Sequence, residues 1–176
     1  MIKKISKKTQ GKINHCNARI IDNRLKCLKD EILSSEIKDI GIITPYKHQS
    51  SLLNRRLKSI QEEYKKAGIS IDIGTVDSFQ GSDRDMIIYD CVRSSKAENT
   101  QQTQKKRQGS KIDFIADEKR LNVSLSRSKK LLLIVGDKEY LRTASVSDGE
   151  NPFSAIIKEF DNTKKYQVIE LPDSKK

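Results

Sequence analysis

Ile69-Ser-Ile-Asp-Ile-Gly-Thr-Val-Asp-Ser-Phe-Gln-Gly-Ser-Asp-Arg-Asp-Met-Ile-Ile-Tyr-Asp-Cys-Val92 is an apolar run, a polar connection built around two glycines, and a second apolar run. Ile69–Ile73 and Met86–Val92 have the length of strands. Met86–Val92 does not alternate, which marks a strand buried on both faces. Ile40-Gly-Ile-Ile-Thr44 and Leu131-Leu-Leu-Ile-Val135 are runs of the same kind, and Tyr166-Gln-Val-Ile-Glu-Leu171 is a last candidate. Helical patterns separate these runs. From Asn17 onward, Ala18, Ile21, Leu25, Leu28 and Ile32 recur at helical spacing. Thr44 is expected to cap a second helix with Pro45 in its first turn. Leu53, Leu57, Ile60 and Tyr64 line its buried face, and Gly68 ends it. Pro152, Phe153, Ile156, Ile157 and Phe160 predict a short docking helix. Strands interleaved with helices predict an α/β fold with a central, mostly parallel sheet flanked by helices.

Composition sets the outer bounds. A chain of 176 residues with a hydrophobic fraction of 35% is read as one domain with a real core. Its boundaries are expected at 14–172. Residues 1–13 read as a basic tail or linker end, 94–113 as a flexible polar insertion, and 173–176 as a tail. The net charge is +11, from 35 Lys+Arg against 24 Asp+Glu. That excess fits a polyanionic partner such as nucleic acid, or a surface solvated by lysine. The three cysteines, Cys16, Cys27 and Cys91, are widely spaced and form no C-x-x-C pair. His15 and His48 complete no ligand set, so no metal site is expected. The sparse thiols fit a reducing intracellular compartment, cytoplasmic, or nuclear in a eukaryote. No apolar run is long enough to span a membrane, and the Lys-rich start lacks the apolar core of a secretory signal.

The chemistry-bearing motifs begin with an absence. No G-x-x-x-x-G-K-S/T loop is present: Gly11-Lys12 is followed by Ile13 and has Ser6 where the first glycine belongs. Asp90 and Asp137 end apolar strands, where a magnesium-binding carboxylate would stand, and read here as polar strand ends. Gly41-Ile-Ile-Thr-Pro-Tyr-Lys-His-Gln49 passes from strand to helix, a place where free backbone N–H groups can hold a phosphate. In Ile73-Gly-Thr-Val-Asp-Ser-Phe-Gln-Gly81 a strand ends in small polar residues and glycine allows close approach. Taken as a helix, Arg120-Leu-Asn-Val-Ser-Leu-Ser-Arg127 places Leu121 and Leu125 on one face. Arg120, Ser124 and Arg127 fall on another. No base-reading aromatic cluster is visible, so sequence-specific binding is not expected.

These three segments resemble motifs IV, V and VI of the superfamily 1 helicases, specifically the Upf1-like branch. The motifs belong to the second of two RecA-like motor domains, and the resemblance covers roughly residues 14–160. It implies a RecA-like P-loop NTPase fold without the Walker A loop. It implies ATP with Mg2+ as cofactor, bound mainly by the first motor domain, which carries the P-loop and would be a partner. The resemblance assigns Thr44, Pro45 and Thr75 to the backbone of single-stranded DNA or RNA. It turns Gln80, Gly81, Asp83, Arg120 and Arg127 toward the nucleotide, with Arg127 as the arginine finger. The isolated chain is then expected to have no ATPase activity. The chain departs from the family at Asp83, where glutamate is usual. It departs again in Asn14-His-Cys-Asn-Ala-Arg-Ile-Ile21, which has His15 and Asn17 in place of the arginine and glutamate of Asn-Arg-x-Glu-Ala. Lys111-Ile-Asp-Phe-Ile115 takes the place of a Gly-Phe-Leu-like patch, and Lys105-Lys-Arg107 reads as a nucleic-acid contact or a solvated insert. Two other readings stay open: a non-catalytic nucleic-acid-binding module, and a scaffold that binds protein through the nucleotide-side face.

Overall fold

A computed structural model describes residues 12–94 and 112–163. The candidate strand at 166–171, residues 1–11 of the basic tail, the tail at 173–176, and the insertion from 95 to 111 with Lys105-Lys-Arg107 lie outside the described residues. Strands β1 (Asp39–Thr44), β2 (Ser70–Thr75), β3 (Arg84–Asp90) and β4 (Ser128–Val135) form one sheet of order β2-β1-β3-β4, parallel throughout. Thr44 pairs with Thr75, Ile43 with Tyr89 and Asp90 with Val135, so the carboxyl ends of all four strands share one edge. The two central strands are buried almost end to end, as their unbroken apolar runs require.

Alternation along the strands feeds two cores. Ile40, Ile42, Met86 and Ile88 meet Ile21, Leu25, Leu53, Ile60 and Tyr64 on one face. The helices there are α1 (His15–Cys27), α2 (Lys29–Ser34), α3 (Lys47–Arg56) and α4 (Lys58–Lys66). Ile43, Ile87 and Tyr89 meet Phe79, Leu121, Leu141 and Phe153 on the other face. That side carries α5 (Asp113–Ala116), α6 (Glu118–Leu125), α7 (Lys138–Thr143) and α8 (Pro152–Asn162), the last matching the expected docking helix.

Local chemistry moves several boundaries. The first helix begins at His15 because the Asn14 side chain accepts from the Asn17 N–H at 3.0 Å, and the helical run breaks at Leu28 into α1 and α2. Thr44 is not the cap expected of it. It is the last residue of β1 and wholly buried; α3 starts at Lys47 behind Tyr46, and Pro45 lies in the link rather than the first turn. Two constraints hold Thr44 extended: its ladder partner Thr75 and the proline that follows it. The single second helix expected up to Gly68 is two, α3 and α4, which meet at Leu57; Gly68, at φ 82°, follows the end of α4, with Ile69 N–H returning to the Tyr64 carbonyl at 3.0 Å. β3 stops at Asp90 rather than Val92 because Val92 takes φ 62°, a conformation costly for a β-branched residue.

Close packing crosses the middle of the sheet at Gly41. A Cβ there would sit 2.7 Å from both Ile87 Cδ1 and the Phe79 ring. Gly41→Ala should therefore lower the unfolding free energy by about 1–3 kcal/mol in urea titrations. An unchanged midpoint would mean that the strand and Phe79 separate easily.

Candidate nucleotide and nucleic-acid surfaces at the two edges of the sheet

At the carboxyl edge a polar network lies beneath the starts of α1 and α3. Asp90 accepts from Asn17 Nδ2 at 2.7 Å, Gln49 Nε2 at 2.6 Å and the Val92 N–H at 3.0 Å. Asn14 closes the ring: its N–H donates to Gln49 Oε1 at 2.7 Å and its amide to the Val92 carbonyl at 2.7 Å. Asp90 is wholly buried, and burial pushes its carboxyl up to about 6 against the pull of these donors. With its oxygens engaged by neutral amides and a backbone N–H, it is a structural acceptor rather than a metal ligand. Asp137 is likewise occupied, capping α7 by accepting from the Tyr140 N–H at 3.0 Å. Among the described residues no group of His, Cys, Asp and Glu is placed to hold a metal ion. No helix among them is long and apolar enough to cross a membrane. The sequence carried a signal for this network: Asn14 and Asn17 are in phase with Ala18 and Ile21, so two amides point where the apolar stripe points.

The predicted strand-binding residues stand at this same edge, with different access. Thr75 is half-buried. Thr44 is 0% exposed, and its hydroxyl has no hydrogen-bond partner among the described residues. Pro45 is buried too. The segment Thr44-Pro45-Tyr46 thus reaches solvent through Tyr46 rather than through the threonine hydroxyl.

Motifs V and VI meet at the opposite edge. After Thr75 the chain makes a 3₁₀ turn (Val76–Phe79), with the Ser78 hydroxyl on the Thr75 carbonyl at 2.6 Å. Gly81, at φ 77°, then redirects it toward the start of β3. There the Arg84 N–H donates to the Arg127 carbonyl at 2.8 Å, so the first residue of β3 is bonded to the residue that leads into β4. Arg127 Nη1 pairs with Asp83 Oδ1 at 2.8 Å, and Arg127 Nε donates to the Val123 carbonyl at 3.2 Å. Gln80, Gly81 and Asp83 are exposed around it. The aspartate expected near the nucleotide is thus engaged with the guanidinium expected to face the same ligand.

The motif VI segment corrects one expectation. Ser124 does not share the arginine face: it is wholly buried, its hydroxyl donating to the Arg120 carbonyl at 2.8 Å. α6 ends at Leu125, and Arg127 lies in the turn entering β4. Arg120 stands in the first turn of α6, behind an Asp117 cap, and Arg127 lies about 10 Å further along the axis. The two arginines therefore do not converge. Arg120 lies over the Phe114 ring, 4.7 Å from its centroid, and Phe114 stacks on Tyr46 at the carboxyl edge. This grouping had no sequence signal, because its members come from three separate segments.

An all-parallel α/β sheet flanked by helices, with motif V in the β2–β3 connection and motif VI leading into β4, defines a RecA-like domain of helicase type. The family model described as an AAA domain matches residues 2–139. The chain belongs to this family, within its Upf1-like superfamily 1 helicase branch. It is 32% identical over 135 residues to the DNA polymerase alpha-associated DNA helicase A of Schizosaccharomyces pombe, covering 77% of this chain and 17% of that protein. It is 31% identical over 166 residues to the probable helicase senataxin of Homo sapiens, covering 90% and 6% respectively. Against the regulator of nonsense transcripts 1 homolog of Neurospora crassa it is 36% identical over 103 residues, covering 58% and 8%. The chain thus spans a small part of the length of each of these relatives.

The Asp90 network predicts a pH signature. Burial raises the carboxyl from 3.8 to about 6, so between these values the folded state holds a proton that the unfolded chain releases. The contribution to stability is complete below pH 3.8 and declines, by on the order of 2–3 kcal/mol, as pH rises toward 6. Urea titrations across that interval should show the decline in the native chain and lose it in Asp90→Asn. A decline of equal size in the variant would assign it to another group.

Proposed function

We propose that this chain is the second motor domain of an ATP-dependent DNA or RNA helicase, supplying an arginine finger and part of the single-strand grip, and inactive as an ATPase alone. The observation that carries the reading is the tie between motifs V and VI. Arg127 is fixed by Asp83, by the Val123 carbonyl and by its own backbone bond to Arg84 at the amino edge of the sheet. A guanidinium held from behind can present its remaining N–H groups to a phosphate across a domain cleft.

ATP with Mg2+ would be held mainly by the P-loop of a first motor domain. On this chain Gln80, Gly81 and Asp83 would face it around Arg127, whose charge would stabilise the transferring phosphoryl group. The bound nucleotide supplies the phosphoryl transfer. This chain's residues orient a positive charge at one edge and hold the strand backbone at the other, through Thr75 and the Thr44-Pro45-Tyr46 segment. Closing the cleft between the two motor domains would move one grip relative to the other. A net charge of +11 supports a polyanionic partner.

A non-catalytic strand-binding module is the second reading. His15 in place of the family arginine favours it, as does the neutralisation of Arg127 by Asp83.

The discriminating assay is ATP turnover by the chain combined with its P-loop domain, or by the polypeptide containing both, with and without single-stranded DNA and RNA. The chain alone should be inactive. The combination should be strand-stimulated, and Arg127→Ala should cut its turnover by about 10³–10⁵-fold. Turnover indifferent to Arg127→Ala would leave the binding-module reading standing.

A further inference from the structure

No aromatic cluster is legible in the sequence, yet the fold builds one. Tyr46 stacks on Phe114 with ring centroids 5.3 Å apart and planes at 28°. The Arg120 guanidinium lies over the same ring, 4.7 Å from its centroid. The three residues come from the exit of β1, from α5 and from the first turn of α6, and they meet at the carboxyl edge that also holds Thr75.

Packing does not account for two features of this cluster. Phe114 is 45% exposed, although its neighbours Ile112 and Ile115 are wholly buried in the adjoining core. Arg120 has no ion-pair partner among the described residues, whereas Arg84 is paired with Asp72 and Arg127 with Asp83. An open ring beside a planar cation with unspent donors is suited to a ligand that combines a flat aromatic face with negative charge.

We propose that Tyr46, Phe114 and Arg120 form a stacking platform for a base of the single strand whose backbone is gripped at the Thr75 edge. The proposal rests on the strand-binding reading above. A base joining the stack meets the open face of Phe114, and the Arg120 guanidinium lies within reach of the adjoining phosphate. Every base has such a face, so the contact tolerates any sequence, as a domain that moves along a strand requires. The base of a free nucleotide has the same chemistry. The position of the platform favours the strand, because Arg127 and Asp83 lie at the other edge of the sheet.

The test measures binding of the full chain to a fluorescent single-stranded oligonucleotide and to an abasic strand of equal length. Phe114→Leu keeps an apolar side chain and removes the ring. It should weaken oligonucleotide binding by about 5- to 100-fold, leave the salt dependence unchanged, and leave abasic-strand binding unchanged. Phe114→Trp should restore affinity, and melting temperatures of the variants should match the native chain. Equal affinity of Phe114→Leu for the oligonucleotide, or equal loss on both strands, would overturn the platform while leaving the backbone grip intact. Displacement of the oligonucleotide by ATP in the native chain but not in Phe114→Leu would also overturn it, assigning the stack to a free nucleotide. If the native chain binds neither strand, the strand-binding reading falls together with the platform.

Discussion

The carboxyl edge of this domain depends on one buried acceptor. A carboxylate removed from water must be answered by donors, and Asp90 is answered by two amides and a backbone N–H rather than by a cation. The donors come from α1, from α3 and from Val92, two residues past the end of β3, and Asn14 joins them to one another. One group thereby fixes two helix starts against the ends of the central strands. The position of Tyr46, which leads directly into α3, follows from that arrangement, because α3 cannot shift without leaving Asp90 short of a partner. The cost is a carboxyl that gives up its proton reluctantly.

The two central strands were legible because burial on both faces writes unbroken apolar runs, and Ile40–Thr44 and Met86–Asp90 lie in them; Leu131–Val135 also became strand, although no residue of it is fully buried. Gly68 and the Pro152 helix were legible for equally local reasons. Thr44 was misread because its residue type suits a cap, while the ladder to Thr75 and the following proline hold it extended. Ser124 was misread because helical spacing gives an angle around an axis. The side of that axis that is buried depends on what packs there, and Ser124 could be buried by bonding back to the Arg120 carbonyl. At the candidate site, motif order identified the segments but not their grouping. Arg120 and Arg127 are seven positions apart in one motif, yet α6 carries them toward opposite edges. The Tyr46–Phe114–Arg120 stack brings Tyr46 against two consecutive helices far downstream in the chain, and neither periodicity nor spacing records such a meeting.

On the proposed reading, this separation is what a motor needs. The strand is held at the ends of β1 and β2, and the phosphate is met at the beginnings of β3 and β4. α6 runs between the two, with Leu121 and Ser124 packed into the interior. A short, well-packed helix transmits displacement rather than absorbing it, since close-packed interiors resist compression. The bond from Arg84 N–H to the Arg127 carbonyl makes motif V part of the same rigid unit.

The parallel sheet also has a consequence for how the chain is made. Synthesis delivers α1, β1, α3, α4 and β2 first, and β1 can pair with β2 on one side as soon as both have emerged. Its other side is filled by β3, which arrives later, and until then the nascent sheet presents a bare apolar edge. During that interval Asn17 and Gln49 have no carboxylate to hold, so the helix starts they secure are free to wander. The arrival of Asp90 closes both openings at once, since the residue that completes the amide ring is also the last of the strand that covers the edge.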